Sequence, residues 1–366
     1  MNRLFVILIM LIAVSCNPTK DLTGPVSYSG EAPKNVILMV GDGMGIAQIT
    51  AIMYSKKKEL ALESFPVTGL HKNTSADDLI TDSAAGATAF ACGKKTYNGA
   101  IAVDTRKRPM KTLLEEAEAK GLATGLLATS TITHATPASF IAHQPSRKME
   151  EDIAADFLKT DVDLFIGGGK RFFTRRKKDE RDLVEELRNK GYTVSDYFEE
   201  DFKDLKMDPV NPLAYFTADE APLPASEGRD YLAPAAKEAT QFLKQRSEKG
   251  FFMVVEGSQI DWGGHANNAG YIISEGLDFD KAIQAVLDFA KKDGETLVVV
   301  TADHETGGFA IQKGSVRDTL VTSFTSDYHT LELIPVFAYG PGSELFSGIY
   351  ENTDIYHKIR KAFGWK

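Results

Sequence analysis

The chain has 366 residues, 43% hydrophobic and 25% charged, with a formal net charge of -9. That length can bury a large core, as one domain or two. The acidic balance argues against a general nucleic-acid binder, which carries a basic footprint; it leaves an anionic substrate open, because bound metal ions dominate a local field.

The N-terminus reads as a targeting segment. Arg3 supplies a positive start, and residues 4–14 are wholly apolar but too short to span a bilayer. Ala13-Val14-Ser15-Cys16 resembles a bacterial lipobox. Residues 1–15 are therefore expected to be a signal peptide, with Cys16 lipidated and becoming the mature N-terminus; an ordinary signal peptide cut nearby is the alternative. Residues 16–33, interrupted by Pro18, Gly24, Pro25, Gly30 and Pro33, read as a flexible tether, and residues 34–366 as one domain. The expected location is the periplasm, or a membrane reached only through the lipid. With Cys16 modified, Cys92 has no partner for an internal disulfide.

From Lys34 on, strand-like and helix-like segments alternate, which predicts a doubly wound α/β fold. Strands are predicted over residues 35–40, 123–129, 163–166, 251–255, 296–301 and 335–339. Helices are predicted over residues 111–120, 182–190, 234–249, 278–292 and 353–363. Pro234 suits a first helical position and Thr353 an N-cap. In the fourth helix Phe279, Ile283, Val286, Leu287 and Ala290 share one face. Residues 201–229, with Pro209, Pro212, Pro222 and Pro224, read as an excursion from the sheet. The basic run 170–178 reads as a solvated loop entering a helix, not a binding patch.

Potential metal ligands recur at predicted strand ends. Asp42 follows the first strand, Glu256 closes the fourth, and Asp303-His304 follow the fifth. In an open α/β sheet chemistry collects beyond the carboxyl ends of strands, so these positions predict one polynuclear metal centre. Asp261 and His265 are four residues apart. One helical turn puts them on the same side, although Gly263 and Gly264 also permit a tight loop. Imidazole with carboxylate suits zinc, and the oxygens of Asp42 and Glu256 suit magnesium. Ser83, in Thr81-Asp82-Ser83-Ala84-Ala85-Gly86-Ala87-Thr88-Ala89, begins a helix of small residues. It reads either as a plain N-cap or as a nucleophile, because a helix start favours phosphate and a neighbouring zinc would activate the hydroxyl. Arg147 offers a fork for two phosphate oxygens.

These residues resemble the alkaline phosphatases, the metal-dependent phosphomonoesterases, from residue 35 to about residue 365. The motifs are Gly41-Asp42-Gly43-Met44-Gly45, the run around Ser83, Lys95-Thr96-Tyr97-Asn98-Gly99, Ala135-Thr136-Pro137-Ala138, Asp261-Trp262-Gly263-Gly264-His265, Thr301-Ala302-Asp303-His304-Glu305-Thr306-Gly307-Gly308, and Pro335-Val336-Phe337-Ala338-Tyr339-Gly340-Pro341-Gly342. With His134 and Trp262, the chain is most similar to compact bacterial members, including cold-active marine ones. The resemblance implies a three-layer, doubly wound, mostly parallel sheet in a single catalytic domain. It implies Ser83 as the phosphorylated nucleophile and Arg147 as the phosphate-binding arginine. Asp261, His265 and His329 match the ligands of a first zinc. Asp303, His304 and Asp42 match those of a second, with Asp42 bridging toward a magnesium site completed by Thr136 and Glu256. His134 and Trp262 match supporting positions behind the ligands, where members of the family vary. An imidazole there suits zinc, so the third site is expected to accept zinc as well as magnesium. His329 lacks the glycine the family usually has two residues later; the competing histidines are His71, His143 and His357, and His143 reads as structural. The implied reaction is hydrolysis of phosphate monoesters to alcohol and inorganic phosphate through a phosphoserine, in a homodimer with no specific nucleic-acid partner. The alternatives are a phosphodiesterase or sulfatase of the same superfamily, with Thr81 two positions from Ser83, and a non-catalytic lipoprotein that binds metal or phosphate.

Overall fold

The computed structural model describes residues 31–56 and 59–366; the expected signal peptide and Cys16 lie outside the described residues. In chain order the elements are β1 (Asn35–Gly41), α1 (Ile46–Tyr54), β2 (Val67–Lys72), α2 (Ser83–Cys92), α3 (Leu113–Lys120), β3 (Ala123–Thr131), α4 (Ala135–Ile141), α5 (Glu150–Asp156), β4 (Leu164–Gly168), α6 (Lys170–Thr174), α7 (Leu183–Asn189), β5 (Thr193–Asp196) and β6 (Leu213–Phe216). They continue as α8 (Leu232–Arg246), β7 (Phe251–Gly257), α9 (Gln259–His265), α10 (Ala269–Asp293), β8 (Thr296–Thr301), β9 (Glu305–Thr306), β10 (Ala310–Ile311), β11 (Thr322–Ser323), β12 (His329–Thr330), β13 (Ile334–Tyr339), β14 (Gly348–Glu351) and α11 (Thr353–Ala362). Ten strands form one sheet in the order β14-β2-β13-β8-β1-β7-β3-β4-β6-β5. It is parallel except where β13 runs against β8 and β2, so the expected doubly wound α/β architecture is present.

The period-two alternation of β1 explains the layers. Val36, Leu38 and Val40 enter one core with residues of α2, α3, α4 and α11. Ile37 and Met39 enter the other, with residues of α1, α8 and α10. A strand covered on both faces needs apolar residues at every position, and β1 is buried throughout. It lies between β7 and β8, pairing Val40 with Glu256 on one side and with Thr301 on the other. That register brings Asp42 and Asp303 to one level, two residues beyond Glu256, at the carboxyl edge of the sheet.

Several expected boundaries move. α10 starts at Ala269 instead of residue 278, where the Asn268 side chain accepts from Tyr271 N at 3.0 Å. Gly276 hid this first half, because glycine is a poor helix former; here it is a packing requirement, since a Cβ would come within 2.1 Å of Ile52. Pro234 is the third residue of α8, not the first, and Asn352 rather than Thr353 precedes α11 as its cap residue. The stretch 201–229 is not wholly an excursion: β6 lies inside it, buried between β4 and β5. Four residues after Pro212 are too few for a periodic signal. The basic run is no solvated loop either. Its first half is α6, and the Arg176 side chain is buried against Asp179 and the carbonyls of Glu151 and Phe172. Lys170, Arg171, Arg175 and Lys178 are each ion-paired.

Two charge arrangements, one buried and one half-buried, tie connecting segments to helices. Arg229, beyond the loop that follows β6, reaches Glu275 at 2.6 Å and Asp278 at 2.8 Å on α10, and all three side chains are buried. Removing the guanidinium leaves two carboxylates facing each other without a counter-charge. Arg229→Met is therefore expected to cost about 3–5 kcal/mol, read as a lowered urea midpoint at unchanged slope.

His143, after α4, contacts only acceptors: Nδ1 lies 3.0 Å from Ala102 O and Nε2 lies 3.0 Å from Glu115 Oε1 on α3. Both nitrogens must donate, so the ring is an imidazolium. Burial disfavours that charge, but the Glu115 hydrogen bond and the Ala102 carbonyl outweigh it and raise the pKa above the ordinary histidine value. His143 thus reads as structural, as expected. A folded-state pKa raised above the unfolded one contributes stability fully below the unfolded value and loses it as pH rises through the folded value. The stability advantage of the natural chain over His143→Gln should shrink as pH rises from the ordinary histidine value through the raised folded-state value, measured by denaturant melts across that range.

Candidate metal centre

The centre occupies the carboxyl edge of β1, β7 and β8. Asp42, Glu256, Asp303 and His304 are fully buried, and Asp261 is 4% exposed. Three sets of side chains bring one ligand atom each within 4.8 Å of one another: Asp261, His265 and His329; Asp42, Asp303 and His304; and Asp42, His134 and Glu256. The first two are the sets that the family resemblance implied. The third brings His134, expected in a supporting role, close to Asp42 and Glu256, two of the residues implied for the magnesium site.

Local structure explains how each group is aimed. Asp261 and His265 sit on α9, so the helical reading of that segment is correct and the tight loop is not. Gly263 and Gly264 let α9 approach its neighbours: a Cβ on Gly263 would lie 2.7 Å from Ile272 N, and one on Gly264 2.7 Å from the Thr306 Cβ. His329 lies on β12, paired with Thr306 on β9. Its ring is stacked on His304 at 3.5 Å and covered by Tyr328 at 4.4 Å. The missing glycine after His329 leaves it in position, within the first set. Of the competing histidines, His71 is buried with Nε2 2.9 Å from Ala302 O, and burial lowers its pKa to about 4. His71, His143 and His357 belong to none of the three sets.

Glu256 and Asp303 share a pattern in which one oxygen is held and the other is left bare. Glu256 Oε2 accepts from Ser258 at 2.5 Å and Ser130 at 3.2 Å. Asp303 Oδ1 accepts from Gly43 N at 3.3 Å and His304 N at 3.0 Å. Glu256 Oε1, Asp303 Oδ2, both oxygens of Asp42, the Thr136 hydroxyl and His134 Nδ1 are buried and make no hydrogen bond. Each such atom costs on the order of 1–3 kcal/mol, more where the group is charged. Hard oxygens left bare at one spot, with the imidazoles of His265, His304 and His329 beside them, are a donor set for divalent cations, so the residues fit zinc and magnesium.

The titration behaviour agrees. Burial raises the Asp42 pKa, and the neighbouring carboxylates of Asp303, Asp261 and Glu256 add to the effect. Burial followed by the Asp261 charge brings Asp303 to about 7. Asp261 goes the other way: burial pushes it up, but the His265 hydrogen bond and the surrounding imidazoles hold it below the ordinary range. The same hydrogen bond lifts His265 to about 9. Without cations the cluster thus draws protons; bound cations would replace them.

Ser83 is the first residue of α2, and the N-cap role belongs to Asp82, whose Oδ1 accepts from Ala85 N at 3.0 Å. That frees the Ser83 hydroxyl, which lies 3.2 Å from His304 Nε2. Asp82 also receives Arg147 Nη1 at 3.1 Å, and Arg147 Nη2 donates to His134 Nε2 at 3.0 Å. Trp262 packs edge-on against His134, with ring centroids 6.3 Å apart. The role of Asp82 was not foreseen, although an aspartate before a helix start is a ready N-cap. Thr81 turns its hydroxyl to the Asp82 carbonyl at 3.0 Å and its own carbonyl to His329, so Ser83 is the hydroxyl placed at the centre.

The chain matches the family model described as "Alkaline phosphatase" over residues 33–322. It is 37% identical to alkaline phosphatase 3 of Bacillus subtilis, over 90% of this chain and 88% of that protein. Among solved structures, the alkaline phosphatase of the Antarctic bacterium TAB5 superposes with a TM-score of 0.86 at 47% identity, covering 92% of this chain and 100% of that one. A histidine-to-aspartate mutant of the TAB5 enzyme, with magnesium bound in its M3 site, matches at 46% identity and a TM-score of 0.86 over 92% and 99% of the two chains.

Mutual repulsion of these carboxylates gives opposite signs with and without cations. Asp303→Asn should raise the melting temperature of chelator-stripped protein, and should lower the zinc that the reconstituted protein retains on dialysis.

Proposed function

The chain belongs to the alkaline phosphatase family and is a phosphatase, and we propose that it hydrolyses phosphate monoesters through a covalent phosphoserine on Ser83. The observation that carries this reading is the Ser83 hydroxyl at the start of α2, 3.2 Å from Nε2 of His304, a member of the candidate set Asp42, Asp303, His304. In the proposed assignment Asp261, His265 and His329 hold one zinc, and Asp42, Asp303 and His304 a second. Asp42, Glu256 and Thr136 hold magnesium, with His134 able to admit zinc at that third position. Magnesium in the M3 site of the TAB5 mutant supports a third cation site here.

When bound, the cations would lower the pKa of the serine hydroxyl and of water and offset charge on the phosphoryl oxygens. The chain's own residues supply position. Backbone amides and the positive end of the dipole at the start of α2 favour the phosphate. Arg147, steadied by Asp82, offers its fork to two equatorial oxygens once it leaves His134. Ser83 Oγ then attacks phosphorus as the P–O bond to the alcohol breaks. Water, attacking in line in the second step, breaks the Ser83 ester and releases inorganic phosphate. Most of the acceleration is attributed to orientation and charge stabilisation.

We also propose that one catalytic unit spans residues 34–366, that the leader and Cys16 take the chain to the periplasm or to a lipid-anchored position, and that it acts as a homodimer. The support is the n-region, the apolar residues 4–14 and the family membership.

The deciding experiment compares an aryl phosphate monoester with a diester and a sulfate. Monoester hydrolysis should be lost on chelation and return with zinc plus magnesium, and Ser83→Ala should lower kcat by about a thousand-fold or more. Acid quenching should trap phosphate on Ser83. Faster turnover of the diester or sulfate, or full activity in Ser83→Ala, would overturn the reading.

A further inference from the structure

The three imidazoles of the two zinc-type sets are held by two different kinds of partner. His265 and His329 turn Nδ1 to main-chain carbonyls, Asp327 O at 2.7 Å and Thr81 O at 2.8 Å. A carbonyl only accepts, so each ring carries a proton on Nδ1 and directs Nε2 into the cluster. For His304 the partner of Nδ1 is a hydroxyl, Thr306 Oγ1 at 3.2 Å. Its Nε2 faces Ser83, Asp303 and Asp42 at 3.2, 3.3 and 3.4 Å. The Thr306 hydroxyl has one proton, and it donates that proton to Asp261 Oδ1 at 2.5 Å. Only its lone pairs remain for His304, so Nδ1 of His304 must be the donor in that contact.

We propose that Thr306 is a positioning residue: one hydroxyl fixes the Nδ1–H tautomer of His304, keeps Nε2 bare beside Ser83, and ties the set Asp261, His265, His329 to the set Asp42, Asp303, His304. The proposal rests on reading those sets as metal ligands. Three further features hold the hydroxyl in place. Thr306 is fully buried. Its backbone pairs with His329 across β9 and β12. Two glycines make room for it: a Cβ on Gly43 would fall 2.8 Å from its hydroxyl, and one on Gly264 2.7 Å from its Cβ. Because Asp261 and His304 share a single hydroxyl, neither set can reorient without disturbing the other.

The test uses the full chain and two variants. Thr306→Val keeps the shape and removes the hydroxyl; Thr306→Ser keeps the hydroxyl. Imidazole nitrogen NMR on metal-free protein should show His304 protonated on Nδ1 in the natural chain and in Thr306→Ser, with the proton redistributed toward Nε2 in Thr306→Val. Competition against a chromophoric zinc chelator should show Thr306→Val weakened by about 10–100-fold at both sets, with Thr306→Ser close to the natural chain. An unchanged His304 tautomer in Thr306→Val would overturn the proposal. So would a loss confined to one set. A Thr306→Ser protein that loses tautomer and zinc would also overturn it, and this arm decides the matter should Thr306→Val fail to fold. Failure of the natural chain to take up zinc would instead sink the metal reading, while the NMR comparison still judges the tautomer.

Discussion

Like charges confined away from bulk solvent dominate this molecule. Asp42, Glu256 and Asp303 are fully buried and Asp261 nearly so, all at one edge of the sheet. Four carboxylates in such a place repel one another; burial and the neighbouring charges make Asp42 and Asp303 resist ionisation, and nothing apolar can relieve them. What keeps them together is the hydrogen-bond ladder joining β8, β1 and β7, whose register sets Asp42 and Asp303 side by side, two residues beyond Glu256. The flanking helices then have the task of covering a sheet that is apolar on both faces right up to that charged rim.

Around the charges the chain divides labour by atom rather than by residue. Ser130 and Ser258 occupy one oxygen of Glu256, and main-chain amides occupy one oxygen of Asp303, leaving the opposite oxygens exposed to the centre. Carbonyls of residues 81 and 327 do the same for His329 and His265. Groups outside the ligand sets thus decide which lone pairs point inward, in keeping with the general weight of outer hydrogen bonds at metal sites. Ser83 and Arg147 approach from separate elements, α2 and the segment after α4, and Asp82 joins them by capping one and pairing with the other.

How much of this the sequence disclosed follows from the physics of each signal. Long β-branched runs such as Val298-Val299-Val300 announce buried strands, and acids or histidines directly after them announce a centre, so the core strands and the existence of a centre were legible; the division of its residues into ligand sets came from the family resemblance. β5 and β6 were not, because four-residue strands carry no measurable period. The first half of α10 was hidden by Gly276, whose reason for being there is the side chain of Ile52, far off in sequence. His134 was read as a supporting group, and its entry into the third set depends on how the turn after β3 presents α4, which no local pattern encodes. Thr306 lay inside a quoted motif, yet its two hydrogen bonds reach across 45 and 2 residues and only geometry reveals that one hydroxyl makes both.

The position of β1 has a consequence for biogenesis. This strand is the first to leave the ribosome, but its neighbours are β7 and β8, and residues 42–250 must be synthesised before either can pair with it. Until then a wholly apolar segment, Val36-Ile37-Leu38-Met39-Val40, has both edges unsatisfied. Such non-local pairing is slow, and an open apolar edge invites aggregation while it waits. The nascent chain should therefore depend on holdase chaperones for longer than its size alone would require, because its most interior strand is made first and enclosed last.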